Sequence, residues 1–143
     1  MLTGSSYKME SDAQAAYAFV CRFFVPSRTA DQKGIVLRRR GEIIAAVLYD
    51  ECNGQNMFMH AAAEPGRRWL TRDFLHLAFH YPFCQQRVKR VTGWVEANNL
   101  ASRRFVEHLG FKLEAVLKRA GKDGCDVCLY VMFREDCRHV AAS

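Results

Sequence analysis

The residues of this chain that could do chemistry fall into small groups, each suited to a different reaction. Six cysteines, Cys21, Cys52, Cys84, Cys125, Cys128 and Cys137, offer disulfide, metal or nucleophile chemistry. Cys125-Asp126-Val127-Cys128 has C-x-x-C spacing, but it reads as part of a strand, where residues three apart face opposite sides, and no second pair or His-x₃₋₅-His follows. Reduced thiols are expected, with Cys52 and Cys84 packed in the core rather than acting as nucleophiles. A second group is the loop from Ala63 through Glu64, Pro65, Gly66, Arg67, Arg68 and Trp69 to Leu70 and Thr71, which precedes a run of helical periodicity. Backbone N–H groups and the dipole at such a helix start form an anion site, and two guanidinium groups beside it would add charge-assisted contacts. Asn99 and Ser102, three apart, open another helical run: Asn99 can cap it and Ser102 can bond within its first turn. His60 stands alone in a strand-like run, and imidazole is the side chain whose charge ordinarily changes near neutral pH.

These groups need elements to hold them, and the hydrophobic pattern supplies a set. Ser11 to Phe24 opens on Ser-Asp, a plausible N-cap, and places Ala15, Ala16, Phe19, Val20 and Phe23 at helical spacing. Ile35–Arg39 and Glu42–Tyr49 read as a hairpin turning at Arg40-Gly41, and Asn56–Ala63 as a third strand after Cys52-Asn53-Gly54. Beyond Pro65-Gly66, Leu70, Phe74, Leu77, Ala78 and Tyr81 recur at steps of three and four, so a second helix packs one face on a sheet, and Pro82 should end or kink it. Val88–Glu96 is β-rich, Asn99–His108 is helical and stops at Gly110, and two strands follow at Phe111–Arg119 and Cys125–Phe133 around Lys122-Asp123-Gly124. The order is helix, three strands, helix, strand, helix, two strands. A strand–helix–strand unit inside an otherwise antiparallel sheet gives a single mixed α/β domain over residues 1–143, without repeats or low-complexity segments.

Composition bounds the partners. The chain has 143 residues, 50% of them hydrophobic, which is enough for one core. Its longest strongly apolar run, Ile43 to Tyr49, is far short of the ~20 residues of a membrane span, and no signal-like start is visible, so a soluble cytoplasmic protein without membrane contact is expected. A formal charge of +6 favours anionic partners, whether a phosphorylated cofactor, an acidic protein or a nucleic acid.

The run from Val95 to Phe111, VEANNLASRRFVEHLGF, has an Asn followed three residues later by Ser, and a helix that ends in Leu-Gly-Phe and feeds a strand. It resembles the corresponding segment of the GNAT (GCN5-related) N-acetyltransferase superfamily. Its form looks most like the branch with the ribosomal-protein alanine N-acetyltransferases and related phage-encoded proteins. With the element order, the resemblance covers roughly residues 33 to 134. It implies an α/β GNAT fold, with a mixed, mostly antiparallel sheet splayed at a central strand pair. It also implies an acyl-CoA-dependent N-acyltransferase that moves an acetyl group from acetyl-CoA directly to an amine.

By the same resemblance, Ala61, Ala63, Gly66, Arg67, Arg68, Trp69, Asn99, Ser102 and Arg103 would contact acetyl-CoA. The loop departs from the family pattern, having one glycine, Gly66, where relatives carry Gly-x-Gly or Gly-x-Ala. The family's general acid, a Tyr five residues before the Phe of Leu-Gly-Phe, is Val106 here. Ser102, Tyr130 or water is left to supply that proton. For the base, His60, Glu96 and Glu64 are the candidates. The short stretch from Phe24 to Gly34 leaves an open acceptor side, suited to a protein N-terminus or lysine, and a homodimer is compatible with the fold. Two other readings stay open: a phage-type protein that modifies nucleic-acid bases, suggested by the basic charge, and a non-catalytic acyl-CoA-binding module, suggested by the missing Gly-x-Gly and Tyr.

Overall fold

The computed structural model describes residues 7–24, 26, 29, 31–65 and 71–140. Strands β1 (Tyr7–Ser11), β2 (Lys33–Arg39), β3 (Glu42–Asp50), β4 (Asn56–Ala63), β5 (Arg90–Glu96), β6 (Lys112–Leu117) and β7 (Val127–Phe133) form one sheet in the order β1-β2-β3-β4-β5-β7-β6. Every neighbouring pair is antiparallel except β4 with β5. The mixed α/β sheet expected from the pattern is present, with β4 running from its first predicted residue to its last. Among the described residues no helix is long and apolar enough to cross a membrane.

Helices cover both faces. Helix α1 (Ala13–Val20) is capped by Asp12, whose Oδ1 accepts from the Ala15 N–H at 3.0 Å, and it buries Ala16, Phe19 and Val20 against Val36, Ala46, Leu48 and Ala62. It lies very close to β2: a Cβ on Gly34 would stand 2.7 Å from the Cβ of Ala16, so only glycine fits there. The helix stops at Val20, short of the expected Phe24. The Arg22 and Phe23 N–H groups bond carbonyls three residues back, the tightened turn that ends a helix, and Phe23 is 40% exposed.

On the opposite face, α2 (Arg72–His80) and α3 (Leu100–Leu109) close the main core, which gathers Leu37, Val47, Tyr49, Met57, Phe74, Phe79, Tyr130 and Met132. The Thr71 hydroxyl caps α2 by accepting from the Phe74 N–H at 3.1 Å. Pro82 does not stop the chain outright: one π turn, Tyr81–Gln85, follows and buries Pro82 and Phe83. The Asn99 Oδ1 caps α3 through the Ser102 N–H at 3.1 Å, and Gly110, at φ 115°, ends it in the left-handed turn expected of a glycine there.

Three expectations are corrected. Strand β1 was not foreseen, because only Tyr7 and Met9 of its five residues are inward apolar positions; it is a short charged edge strand tied to β2 by the Glu10–Arg38 ion pair. Cys125 precedes β7 rather than lying in it. Cys84, expected in the core, is exposed on the π turn, whereas Cys52 is half-buried against the core.

Candidate active site

The site arises where the sheet stops being a sheet. Strands β4 and β5 pair through three positions, Asn56 with Arg90, Met57 with Val91 and Phe58 with Thr92, yet both strands run on, to Ala63 and Glu96. The released segments flank a cavity of about 440 Å³. Its walls are Phe58, Met59, His60 and Ala61 from β4 and Gly93, Trp94, Val95 and Glu96 from β5, with Asn99, Ser102, Phe105, Val106 and Leu109 of α3 across one side. Asp50 and Glu51 at the end of β3, Phe24 and Pro26 after α1, and Ala120 and Lys122 between β6 and β7 complete the rim.

Register decides which backbone groups face this gap. The Glu64 N–H donates to the Ile44 carbonyl at 2.8 Å, so the hydrogen-bonded pairs of β3 and β4 continue, two residues at a time, through Ala46–Ala62, Leu48–His60 and Asp50–Phe58. The N–H and C=O of Met59, Ala61 and Ala63 therefore point away from β3, toward β5. Phe58 is the last paired position, and two residues beyond Met59 the Ala61 N–H meets no strand. On β5 the Ala97 N–H donates to the Asp126 carbonyl at 2.8 Å, which by the same alternation turns the backbone of Trp94 and Glu96 toward β4. The splay thus leaves strand hydrogen-bonding groups facing a cavity.

Register also sorts the side chains. His60 stands opposite Leu48, which packs under α1, so His60 and Phe58 lie on the α1 face. Trp94 and Glu96 share that face, because Thr92 stands beside Phe58. Met59, Ala61, Gly93 and Val95 point the other way, toward α3. The cavity therefore has a polar and aromatic side under α1 and its following loop, and an apolar side under α3 formed by Phe105, Val106 and Leu109.

The candidate residues sort clearly. His60, Ala61, Glu96, Asn99 and Ser102 all line the cavity. The His60 side chain is 14% exposed, with Nε2 3.3 Å from Oδ2 of Asp50, which also accepts from Gln32 Nε2 at 3.2 Å. Glu96 Oε2 accepts from the Lys122 N–H at 2.7 Å, so the loop between β6 and β7 fixes that carboxylate. Ala63 ends β4 beyond the lining residues. Arg103 turns its guanidinium to the Tyr130 hydroxyl at 3.1 Å and is not among the lining residues. Gly66, Arg67, Arg68 and Trp69 lie outside the described residues.

Two further candidates are placed away from the gap. Glu64 forms an ion pair with Arg22 of α1 at 2.6 Å and lines a separate groove beside α1. Tyr130 is fully buried and donates its hydroxyl to Glu107 at 2.6 Å; burial, ahead of its hydrogen bonds, pushes its pKa above the ordinary phenol value. Cys125, near Glu96, is likewise pushed up, by burial first and then by that carboxylate, which keeps it a thiol. Sequence reasoning missed Asp50. Its only signal was a carboxylate closing the apolar run of β3, with its partner ten residues on, across a turn.

No protein-family model matches the chain, and no curated protein matches it in sequence. Solved structures do. The spermidine/spermine N-acetyltransferase SpeG from Vibrio cholerae, in complex with manganese ions, superposes with a TM-score of 0.73 at 13% identity, over 94% of this chain and 96% of that one. Mutant forms of the same enzyme give 0.70 at 14% identity, over 90% and 95%. A dodecameric structure of it in an intermediate state gives 0.69 at 14%, over 91% and 95%. At this identity the likeness establishes the fold, which is that of the GNAT N-acetyltransferases.

Proposed function

We propose that this chain is an acetyl-CoA-dependent N-acetyltransferase that passes the acetyl group directly to an amine within the gap between β4 and β5. The observation that carries this reading is the gap itself: two strands that pair for three positions and then part, leaving the Ala61 N–H directed into a cavity closed by α3. The GNAT fold supports it.

The residues present fit the cofactor. Phe105, Val106, Leu109 and Met59 offer an apolar wall for the thiol arm of acetyl-CoA, while Asn99 and Ser102 at the start of α3 stand where amide and phosphate groups can be bonded. The Ala61 N–H would donate to the thioester oxygen and stabilise the charge that grows there as the amine adds. The amine enters from the α1 side, where Phe58, Trp94 and Glu96 lie, and His60 accepts its proton. Val106 has no proton to give, so Ser102, on the same wall, donates to the departing thiolate. Charge at Arg67 and Arg68 would hold the phosphates, in keeping with a net charge of +6.

The acceptor is an amine of a protein or a small molecule. A polyamine acceptor would match the spermidine N-acetyltransferases whose fold this chain shares, whereas a protein N-terminus or lysine fits the open rim. The dodecameric neighbour favours assembly of this chain into oligomers as well. Calorimetric titration with acetyl-CoA, followed by a thiol-release assay across spermidine, an alanine-initiated peptide and a lysine peptide, tests the reading. Binding with amine-dependent thiol release is expected. Binding without release for any amine would leave only an acyl-CoA-binding module, and no binding would overturn the proposal.

A further inference from the structure

We infer that Asp50 is a positioning residue for the transfer step, supplying the negative charge against which His60 takes up the acceptor's proton. The inference rests on the proposed function, in which His60 is the base. Asp50 closes β3 and is 3% exposed; it is the one carboxylate buried to this degree among the described residues. A buried carboxylate is costly unless it is bonded and compensated. Oδ2 accepts from Gln32 Nε2 at 3.2 Å, a neutral donor, and lies 3.3 Å from His60 Nε2. Among the described residues no lysine or arginine forms an ion pair with Asp50, so an imidazolium at His60 is the cation that matches it.

The arrangement has a consequence for the chemistry. As the amine nitrogen bonds to the thioester carbon and the C–S bond breaks, one amine proton passes to His60 and the thiolate takes the Ser102 proton. The His60 proton, returned through water, restores Ser102. The positive charge that transfer places on His60 forms 3.3 Å from Asp50, and that is when Asp50 acts. A purely structural Asp50, tying the segment before β2 to the end of β3 through Gln32, would be indifferent to what stands at position 60.

A double-mutant cycle separates these roles. Steady-state kinetics with acetyl-CoA and either spermidine or an alanine-initiated basic peptide are compared for the wild type, Asp50→Asn, His60→Gln and the double variant. Asp50→Asn is expected to lower kcat by roughly 10- to 100-fold with KM for the amine nearly unchanged, and by less than about twofold when added to His60→Gln. Gln32→Met, which keeps the carboxylate but loosens it, gives a smaller fall in kcat and carries the same cycle if Asp50→Asn does not fold. Equal losses in both backgrounds, or a raised KM with kcat intact, would overturn the inference. If His60→Gln is impaired while Asp50→Asn is silent, the base assignment stands and this inference alone falls. Full activity in His60→Gln removes the base assignment and the inference together, and failure of the wild type to turn over either amine removes the proposed function on which both rest.

Discussion

The two ends of the β4–β5 pair are built from similar residue types put to opposite use. At the closed end, polar side chains bridge the strands. Thr92 Oγ1 donates to Asn56 Oδ1 at 2.5 Å, and Arg90 reaches Asn56 at 3.2 Å, Thr92 at 3.2 Å and both carboxylate oxygens of Glu114 on β6 at 2.9 and 2.5 Å. At the open end, on the same face, no such bridge forms. His60 turns back to Asp50 on β3, and Glu96 turns away to the loop between β6 and β7. The strands part where their polar groups have partners on the outer side, and the backbone donors between them are left facing the cavity. One end is a clamp, and the other is the site we propose.

The sharpest way to break this contrast is to remove a single donor at the open end. Ala61→Pro deletes the N–H facing the gap without costing β4 a bond to β3, since that N–H points away from β3. The variant is expected to fold and to lose about 10²- to 10³-fold in kcat, the usual effect of removing an oxyanion donor. A folded variant with wild-type kcat would remove Ala61 from the mechanism.

The closed end responds in the opposite currency, stability rather than rate. Thr92→Val removes the hydroxyl of a residue that is 4% exposed and leaves Asn56 and Arg90 short of a partner. Unfolding in denaturant should show a loss of about 1–3 kcal/mol, with kcat per folded molecule little changed. A comparable loss of kcat would mean that the two ends are not independent.

The smallest effect lies at the edge of the clamp. The hydrogen bond from Arg90, with a further contribution from its charge, holds the Glu114 carboxyl below its ordinary value of 4.5. A depressed carboxylate stabilises the fold fully above that ordinary value and loses the contribution as pH falls through the lowered one. The pair is half-exposed, so Glu114→Gln should cost under about 1 kcal/mol at neutral pH. Melting curves of the two proteins should converge in acid; a gap that widens there would reverse the sign.

The sequence made the open end legible in part. The strand-like run Asn56–Ala63 after the turn residues Cys52-Asn53-Gly54 set β4, and the Asn99 cap with the Gly110 stop set α3, because these are local signals of pattern and turn chemistry. From them His60, Glu96, Asn99 and Ser102 could be placed near one cleft. The partners of those residues were not legible. Asp50 meets His60 only through the register across the turn at residues 51–55, where Asn53 Oδ1 accepts from the N–H groups of Gln55 and Asn56 at 2.9 Å each. Tyr130 looked like a substitute acid because of its type, yet its hydroxyl is held between Arg103 and Glu107, a pairing of β7 with α3 that no local pattern announces. Arg103 turns its guanidinium to Tyr130 and away from the cavity lining for the same reason: its direction depends on which side of α3 meets the sheet.

Amide hydrogen exchange with and without acetyl-CoA tests most directly whether the open end is the site. The account predicts added protection at residues 59–63, 94–96 and 99–106, and none at the clamp formed by Asn56, Arg90 and Thr92. Protection confined to the groove between α1 and β3, or spread without regard to the β4–β5 gap, would contradict it.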